Sequence, residues 1–535
     1  MSGNTSAAVP ARSLISNPWI IALVVVIPTF MEVLDTTIAI VALRYIAGGL
    51  SAAEIDSEWV ITSYLAANAT ILPISGWLSA RFGRRNYFLA SILLFTLASV
   101  MCGAATSLGS LILFRVIQGL AGGGLQPSSQ AILLDAFPPS QQGSAMTLYG
   151  MAALLAPIVG PTLGGYLTVY HDWRWVFYIN LPIGLMAYFL AFLVLKDPEY
   201  LVKQRAEMKR EAKRFDTTGL GFLALTMSAW EILLSKGQEW DWLRDPFGRV
   251  QILVCCFVFG LVFLVWNELR SQNPILNFRP FRERNFLISC MIIFTAFSIL
   301  YGASTTLPSL MQNLFHYDAF TSGLVMSPAG IFAFGTVIVV GFLMGKKLDA
   351  RILITVGLTT IAVSNFWMAY MTPGISPWQL AWPRVMLVMG MSMVFAPLNV
   401  AAYKYMPQVL RGSAVGLFAL LRNEGGSFGT SMTQTLQTRR EQFHTLRVND
   451  YLDPLNSNLH QFLTQTEAVF RQFNSDAMGA KLMAIDTLNQ LRDQQALALS
   501  YFDCFYLFGV LACILVFGVL LMKQSKAEGS VPVGE

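Results

Sequence analysis

Glu32 and Asp35 stand three residues apart in "FMEVLDTTIAI" (30 to 40), inside a run of apolar side chains. On a helix this spacing puts both carboxylates on one side, roughly 20 to 24 Å from the start of the run at about 1.5 Å per residue. Two acids so close in a low-dielectric setting cannot both ionise cheaply, so at least one is expected to carry a proton near neutrality. That is the chemistry of a proton carrier. An ion pair with Arg115, or hydration near the outer mouth, would account for the same residues. Glu424 lies about 16 Å into another apolar run and two residues from Arg422, so the two side chains point apart. Glu424 is a second candidate for protonation, or for holding a cationic substrate. Arg384 either completes an anion pair across a cavity or reaches toward headgroups, and Glu231 reads as a peripheral group.

These residues need explaining because the chain around them is oily. Of 535 residues, 55% are hydrophobic and 13% charged, which excludes a soluble globular protein of this size. A charge near the bilayer centre costs a few kcal/mol on insertion scales, so each one kept there needs a reason. A span requires about 20 mostly apolar residues whose backbone groups bond internally. Fourteen such runs are legible: 19 to 43, 57 to 79, 87 to 106, 109 to 133, 143 to 167, 175 to 195, 217 to 235, 248 to 267, 286 to 312, 321 to 344, 352 to 371, 379 to 403, 412 to 435 and 499 to 522. The fold class is an all-α polytopic membrane protein. The N-terminal tail has one Arg and no small-residue cleavage site, so the first span reads as an uncleaved anchor.

Alternate loops are basic. Arg81, Arg84 and Arg85 follow span 2, seven Lys or Arg lie between Lys196 and Arg214, and Arg270, Arg279, Arg282 and Arg284 follow span 8. Lys346, Lys347 and Arg351 follow span 10, and Lys523 and Lys526 follow span 14. Those loops, with both termini, are expected in the cytoplasm. The same charges explain "KQRAEMKREAKR" (203 to 214) without nucleic acid. All six cysteines fall in spans, with no disulfide framework and no zinc spacing, and the four histidines fall in outer loops. Carboxylates, not histidines, must then carry any proton through the membrane.

Six spans, two spans and six spans suggest two bundles, 1–196 and 286–535, around linkers and a two-helix insert at 197–285. "GWLSARFGRR" (76 to 85) and "GFLMGKKLDAR" (341 to 351) form a weak echo, each after the second span of its bundle. The outer loop 436–498 carries a helical stripe through Leu459, Phe462, Leu463, Phe470 and Phe473, then Leu482, Ile485 and Leu488, which reads as a helical hairpin or cap.

An ordered set of motifs then adds a resemblance. "LDTTIAIVAL" (34 to 43), "WVITSYLAANATILPISGWL" (59 to 78), "RVIQGLAGGG" (115 to 124), "GPTLGG" (160 to 165) and "DWRWVFYINLPIG" (172 to 184) together resemble the fourteen-span drug:proton antiporters of the major facilitator superfamily, EmrB/QacA type. "NPILNFRPFRERNF" (273 to 286), "KKLDAR" (346 to 351) and "GTSMTQT" (429 to 435) agree with it.

The resemblance implies proton coupling at Asp35, a relay at Arg115 with Gln118 and Gly119 in the same motif, and an antiporter signature at Gly160, Pro161, Gly164 and Gly165. It also implies a gating turn at Gly76, Arg81, Gly83, Arg84 and Arg85. Ala80 stands where that turn commonly has an acid, Ile40 and Arg44 where Asn and Pro often end the first motif, and Glu424 where the position is usually apolar or small. Pro157 and Pro161 would let span 5 bend, while Gly160 and Gly164 offer a flat strip at the interface between bundles.

The expectation is an inner-membrane exporter that exchanges protons for amphipathic compounds, driven by the proton gradient and with no cofactor or bound metal. Gln118, Met389, Met391, Met393, Asn399 and Arg422 are its expected cavity residues, methionines tolerating varied ligands. By analogy the resemblance implies a periplasmic membrane-fusion adaptor and an outer-membrane channel as partners. A narrow exporter of one metabolite, fatty acid or siderophore is the alternative within transport, and a sensor or scaffold the alternative outside it.

Overall fold

The structure is a computed structural model that describes residues 17–138, 141–197, 201–202, 216–271, 275–345, 348–372, 374–453, 455–473 and 476–524. The basic stretch 203 to 214, Lys346, Lys347, Lys526 and the side chain of Pro157 lie outside the described residues.

The described chain is helical, as backbone groups in lipid demand. α1 (Pro18–Gly49) is followed by α2 (Trp59–Ile71), a 3₁₀ turn at Leu72–Ile74, α3 (Ser75–Phe82), α4 (Arg84–Gly103), α5 (Leu108–Gly122), α6 (Leu125–Ala136), α7 (Gln142–Tyr170) and α8 (Asn180–Val194). α9 (Thr217–Lys236) and α10 (Arg249–Arg270) form a pair. α11 (Arg284–Asn313), α12 (Ala319–Met326), α13 (Pro328–Gly345), α14 (Ala350–Ala369), α15 (Pro377–Tyr403), α16 (Gln408–Asn449), α17 (Ser457–Arg471) and α18 (Ala477–Leu520) complete the chain.

Eleven of the described helical segments are long and apolar enough to cross a bilayer. The other three expected spans are also helical. Span 2 is divided by the 3₁₀ turn around Pro73, span 5 is α7, and span 13 is the inner part of α16, whose polar residues keep its mean hydropathy low. Span 4 is divided between α5 and α6 at Gly123 and Gly124, and α7 runs unbroken past Pro161.

Helices α1 to α8 pack mainly on one another, as do α11 to α18. Glycines set the closest approaches. A Cβ on Gly119 of α5 would stand 2.4 Å from the Tyr64 carbonyl oxygen, and one on Gly123 would stand 2.7 Å from that of Asn68, so α2 lies directly on α5. Gly160 and Gly164 do the same for α7 on α1, where a Cβ would meet Thr37 Oγ1 at 2.2 Å and the Ile38 carbonyl oxygen at 3.2 Å. This corrects the expected interface between bundles: the Gly160 strip, with Pro161 and Gly165 in the same turns, packs inside its own group. The other side of α7 meets the second group, through Gly150 on Phe395 and Thr162 on Gly323.

The two groups also close at the end carrying the basic turns. Gly76 of α3 lies on Gly412 of α16, and a Cβ there would be 3.0 Å from the Gly412 backbone. Gly416 lies on Pro73, and Gln130 of α6 donates to Asn399 of α15. Gly83 adopts φ +91° and so frees the chain to turn into α4. Arg84 then pairs with Asp135, while the Arg85 backbone N–H donates to Asp197 at 2.8 Å. Arg81, on the last turn of α3, has its side chain only partly buried.

At the opposite end, α16 and α18 continue far beyond their spans and carry α17 between them. The expected helical hairpin is therefore built by extending two spans. His444 lies on this extension of α16, not in a loop, and bonds Asp503 at 2.8 Å beside Arg440.

Candidate functional site

Asp35 is fully buried, and its carboxylate is held from three sides. Arg115 Nη1 donates to Oδ2 at 2.6 Å, while Gln118 Nε2 at 3.0 Å and Asn180 Nδ2 at 2.6 Å donate to Oδ1. Arg115 is fixed in turn: Nε donates to the Val60 carbonyl at 3.0 Å, and Nη1 to Gln118 Oε1 at 2.9 Å. Its guanidinium lies 4.3 Å from the Tyr64 ring centroid. Gly119, one residue past Gln118, lets α2 come close enough to supply Val60 and Tyr64. The result is a closed ion pair with its hydrogen bonds supplied by α2, α5 and α8.

Glu32 faces elsewhere. It is 2% exposed, accepts from Asn68 Nδ2 at 2.9 Å through Oε1, and leaves Oε2 without a well-formed hydrogen bond, with Gln126 nearby. Three residues along a helix leave two side chains about 60° apart in azimuth. Tyr64, packed between, widens that into two environments. The expectation that both acids share one cavity is therefore corrected: Glu32 lines it and Asp35 does not.

That cavity holds about 330 Å³ and is walled by α1, α2, α9, α11 and α16, with Gln126 of α6. It runs from the level of Glu32 toward Leu43 and Glu58, away from the Gly76 contact. Tyr64 and Tyr301 provide aromatic wall, and Glu32, Glu58 and Glu231 provide carboxylates. No lysine or arginine is among its described lining residues. Glu58 is paired with Lys236 at 2.9 Å, which leaves Glu32 and Glu231 as the lining carboxylates that face the space outside an ion pair. Asn423 Nδ2 of α16 donates to Asn68 Oδ1 at 3.2 Å, so Glu32, Asn68 and Asn423 connect the two helix groups in one chain of hydrogen bonds.

The other expected cavity residues lie off its wall. Met391 is fully buried between helices, Met389 packs on the same core, and Met393 packs near Gly357. Asn399 takes the hydrogen bond from Gln130 at the closed end, and Gln118 holds Asp35. Arg422 donates to the Tyr149 hydroxyl at 3.0 Å among Tyr149, Phe297 and Phe395. Arg384 is buried, not reaching for headgroups, and donates to Ser304 at 2.7 Å. Glu424 is buried behind the wall next to Glu231.

Glu231 is the plainest miss. It is 3% exposed and on the cavity wall, because α9 does not hang on the outside: it lies against α2 and α16. Thr62 and Ser235 hydroxyls meet at 2.5 Å, and Ser427 Oγ donates to Glu231 at 3.0 Å. The lipid-facing member of the pair is α10, with Ile252, Val258, Val262 and Trp266 exposed. Asn68, Asn180 and Asn423 were missed as well. Their signal was a carboxamide inside an apolar run, which carries the same desolvation argument as a charge in weaker form.

Comparison with known proteins agrees with this architecture. Residues 25–430 match the profile of the Major Facilitator Superfamily. The multidrug export protein EmrB of Escherichia coli (strain K12) is 36% identical over 445 residues, covering 82% of this chain and 84% of that protein. The fatty acid resistance protein FarB of Neisseria gonorrhoeae is 34% identical, with 81% and 83% covered. Among solved structures, the proton:xylose symporter XylE superposes with a TM-score of 0.60 at 12% identity over 96% of this chain and 97% of that one, a likeness of fold. The chain is a multi-pass member of the Major Facilitator Superfamily, of the EmrB type, and so a transporter and not an enzyme.

Proposed function

We propose that this protein exports amphipathic cations across the cell inner membrane in exchange for protons, by alternating access, with both termini in the cytoplasm. The observation that carries the reading is the cavity between the two helix groups, whose lining joins tyrosines and apolar side chains to carboxylates and includes no lysine or arginine. A lipophilic cation gains apolar contact there and a counter-charge, whereas a fatty-acid anion would meet Glu32 and Glu231. The EmrB relative, named for multidrug export, and FarB, named for fatty acid resistance, support efflux as the direction of transport. No cofactor enters the reading, since the proton gradient supplies the work.

The proton belongs on α1. Protonating Asp35 would cancel the charge that Arg115 answers, and Arg115 touches α2 and α5 at once. Its rearrangement is the step by which a proton would unlock the first helix group. Glu32, bonded through Asn68 to Asn423, is placed to report cavity occupancy to the second group.

Orientation follows from cations gathered at one end. Arg351 Nη1 donates to the Met522 carbonyl at 3.2 Å, and Asn285, next to Arg284, exchanges hydrogen bonds with Lys523 there. That end is the cytoplasmic one by the positive-inside rule.

Everted vesicles with an imposed acid interior test the whole reading. Tetraphenylphosphonium or ethidium is expected to collapse the gradient in vesicles containing the protein and not in control vesicles. Collapse driven by fatty acids and by no cation would replace this function with the narrow exporter.

The outer hairpin fits a membrane-fusion adaptor in the periplasm, which would hand substrate to an outer-membrane channel. Leu446, Tyr451, Leu455, Phe473 and Leu482 are all more than half exposed on it. Phe473→Asp with Leu482→Asp is expected to abolish co-purification with an added adaptor while leaving vesicle antiport intact. Undiminished co-purification would remove this face from the assembly.

A further inference from the structure

Helix α9 carries a buried acid that neither six-helix group supplies. Glu231 opens on the cavity, 3% exposed, and accepts from Ser427 Oγ of α16 at 3.0 Å. Glu424, also of α16, is 5% exposed, and both its carboxylate oxygens are buried without a well-formed hydrogen bond. The group it meets is the Glu231 carboxylate, with Trp230 beside them. Glu424 and Ser427 are three residues apart, so α16 presents an acid and a hydroxyl to the same side chain of α9.

Two carboxylates within reach of each other in a dry interior cannot both be charged unless a cation answers them. The surrounding cations are engaged elsewhere. Lys236 of α9 pairs with Glu58 and Glu239, Arg422 of α16 donates to Tyr149, and Arg384 of α15 donates to Ser304. Beyond the end of α9, Arg249 of α10 pairs with Asp245, Arg439 of α16 pairs with Asp241, and Arg440 and His444 of α16 meet Asp503 of α18. Of the remaining acids, Glu32 across the cavity, Asp216 at the start of α9, Glu268 of α10 and Glu441 of α16 add negative charge only.

We propose that Glu231 and Glu424 form one acid site that holds a single proton between them, and that a cation seated in the cavity displaces it. Glu231 is the face that the cation reaches, and Glu424 is the rear partner. When the cation binds, the O–H bond of the pair breaks, the proton leaves through the cavity to water, and the two carboxylates are left to answer the new charge. The insert thereby carries a proton site separate from the Asp35–Arg115 pair. It rests on the reading of the cavity as a cation site, and not on Asp35 being the coupling acid.

The test uses full-length protein in lipid nanodiscs, with Asp35→Asn and Glu32→Gln as the background so that neither acid of α1 is counted, Glu32 lining the same cavity. Infrared spectra in H₂O and D₂O compare this parent with the same protein carrying Glu231→Gln and Glu424→Gln. Losing the absorption of one carboxylic acid and one carboxylate is expected. Loss of two carboxylates, or of two acids, overturns the shared proton. Should the double variant not fold, the parent alone decides: adding tetraphenylphosphonium is expected to convert one acid absorption into carboxylate, and an unchanged acid absorption overturns the proposal. Failure of vesicle antiport with the infrared result intact would count against the export reading alone.

Discussion

Asp35→Asn is expected to abolish substrate-driven proton flux in everted vesicles, down to the level of vesicles lacking the protein, while tetraphenylphosphonium still binds. Asparagine keeps the shape and accepts hydrogen bonds, yet it neither ionises nor takes a proton. Binding should survive because Asp35 lies behind the wall of the cavity. A structural cost will accompany the change. Arg115 is fully buried, and removing its counter-charge leaves a lone cation in the interior, a loss of about 3–5 kcal/mol for a buried pair. A lowered melting temperature is thus expected in the single variant. Asp35→Asn combined with Arg115→Gln removes both charges and should recover part of that stability without recovering flux. The comparison separates a proton site from a mere strut. If the double variant regained antiport, the pair would be structural and the proton would belong to Glu32 or to the α9 pair.

How much of this was legible beforehand differs by residue. The spans were readable because a bilayer sets a minimum apolar length for a helix that crosses it, and α1, α11 and α15 meet it. Asp35 and Arg115 were readable as charges that lipid would not tolerate without cause. Their partner Asn180 was not, because an amide is a weak outlier in an apolar run. Sequence spacing also misled. Glu32 and Asp35 share a helical side, but a cavity wall is narrower than a helical side, and packing of Tyr64 decides which acid reaches the space. The methionines of α15 have a suitable chemistry and the wrong azimuth, since that helix turns them into the core. Nothing local in a sequence gives that azimuth; only the neighbouring helices fix it.

The placement of α9 belongs to the same class of information. An insert between two bundles reads as an appendage, yet Lys236 reaches Glu58 of the first group while Ser427 of the second reaches Glu231. Contact with α2 is much the more extensive. Alternating access moves the two groups against each other, so α9 should travel with α2 and exchange its few polar contacts with α16. Those contacts run through Glu231 and Ser427 and, in the turn beyond α9, through Asp241, which pairs with Arg439, and Trp242 Nε1, which donates to Thr435 at 3.2 Å. The acid pair proposed above sits on this sliding seam, where gain or loss of a proton changes the strength of contact between the groups.

The opposite seam gives the other large effect. Gly76→Leu is expected to drive the protein out of the conformation described here and to stop export. Leucine is a good helix former, so α3 itself should tolerate the change. The obstacle is Gly412, whose backbone lies 3.0 Å from where the new Cβ would stand, and backbone cannot rotate away as a side chain can. Overpacking of this kind costs about 1–3 kcal/mol, and here only in the state where α3 and α16 touch. A penalty confined to one state shifts the balance between states by about 5- to 150-fold. In a protein freed of its native cysteines, Thr36→Cys on the cavity wall provides the readout. Its labelling from the outer face by an impermeant maleimide should slow as Gly76→Leu removes the conformation that opens there. Gly48→Leu is the control, because a Cβ at Gly48 meets nothing within 4 Å. Unchanged labelling in a folded Gly76→Leu protein would mean that the Gly76–Gly412 contact does not close the cavity at that end. The gate would then have to lie in the Gln130–Asn399 contact, where Gln130→Leu would be the next substitution to make.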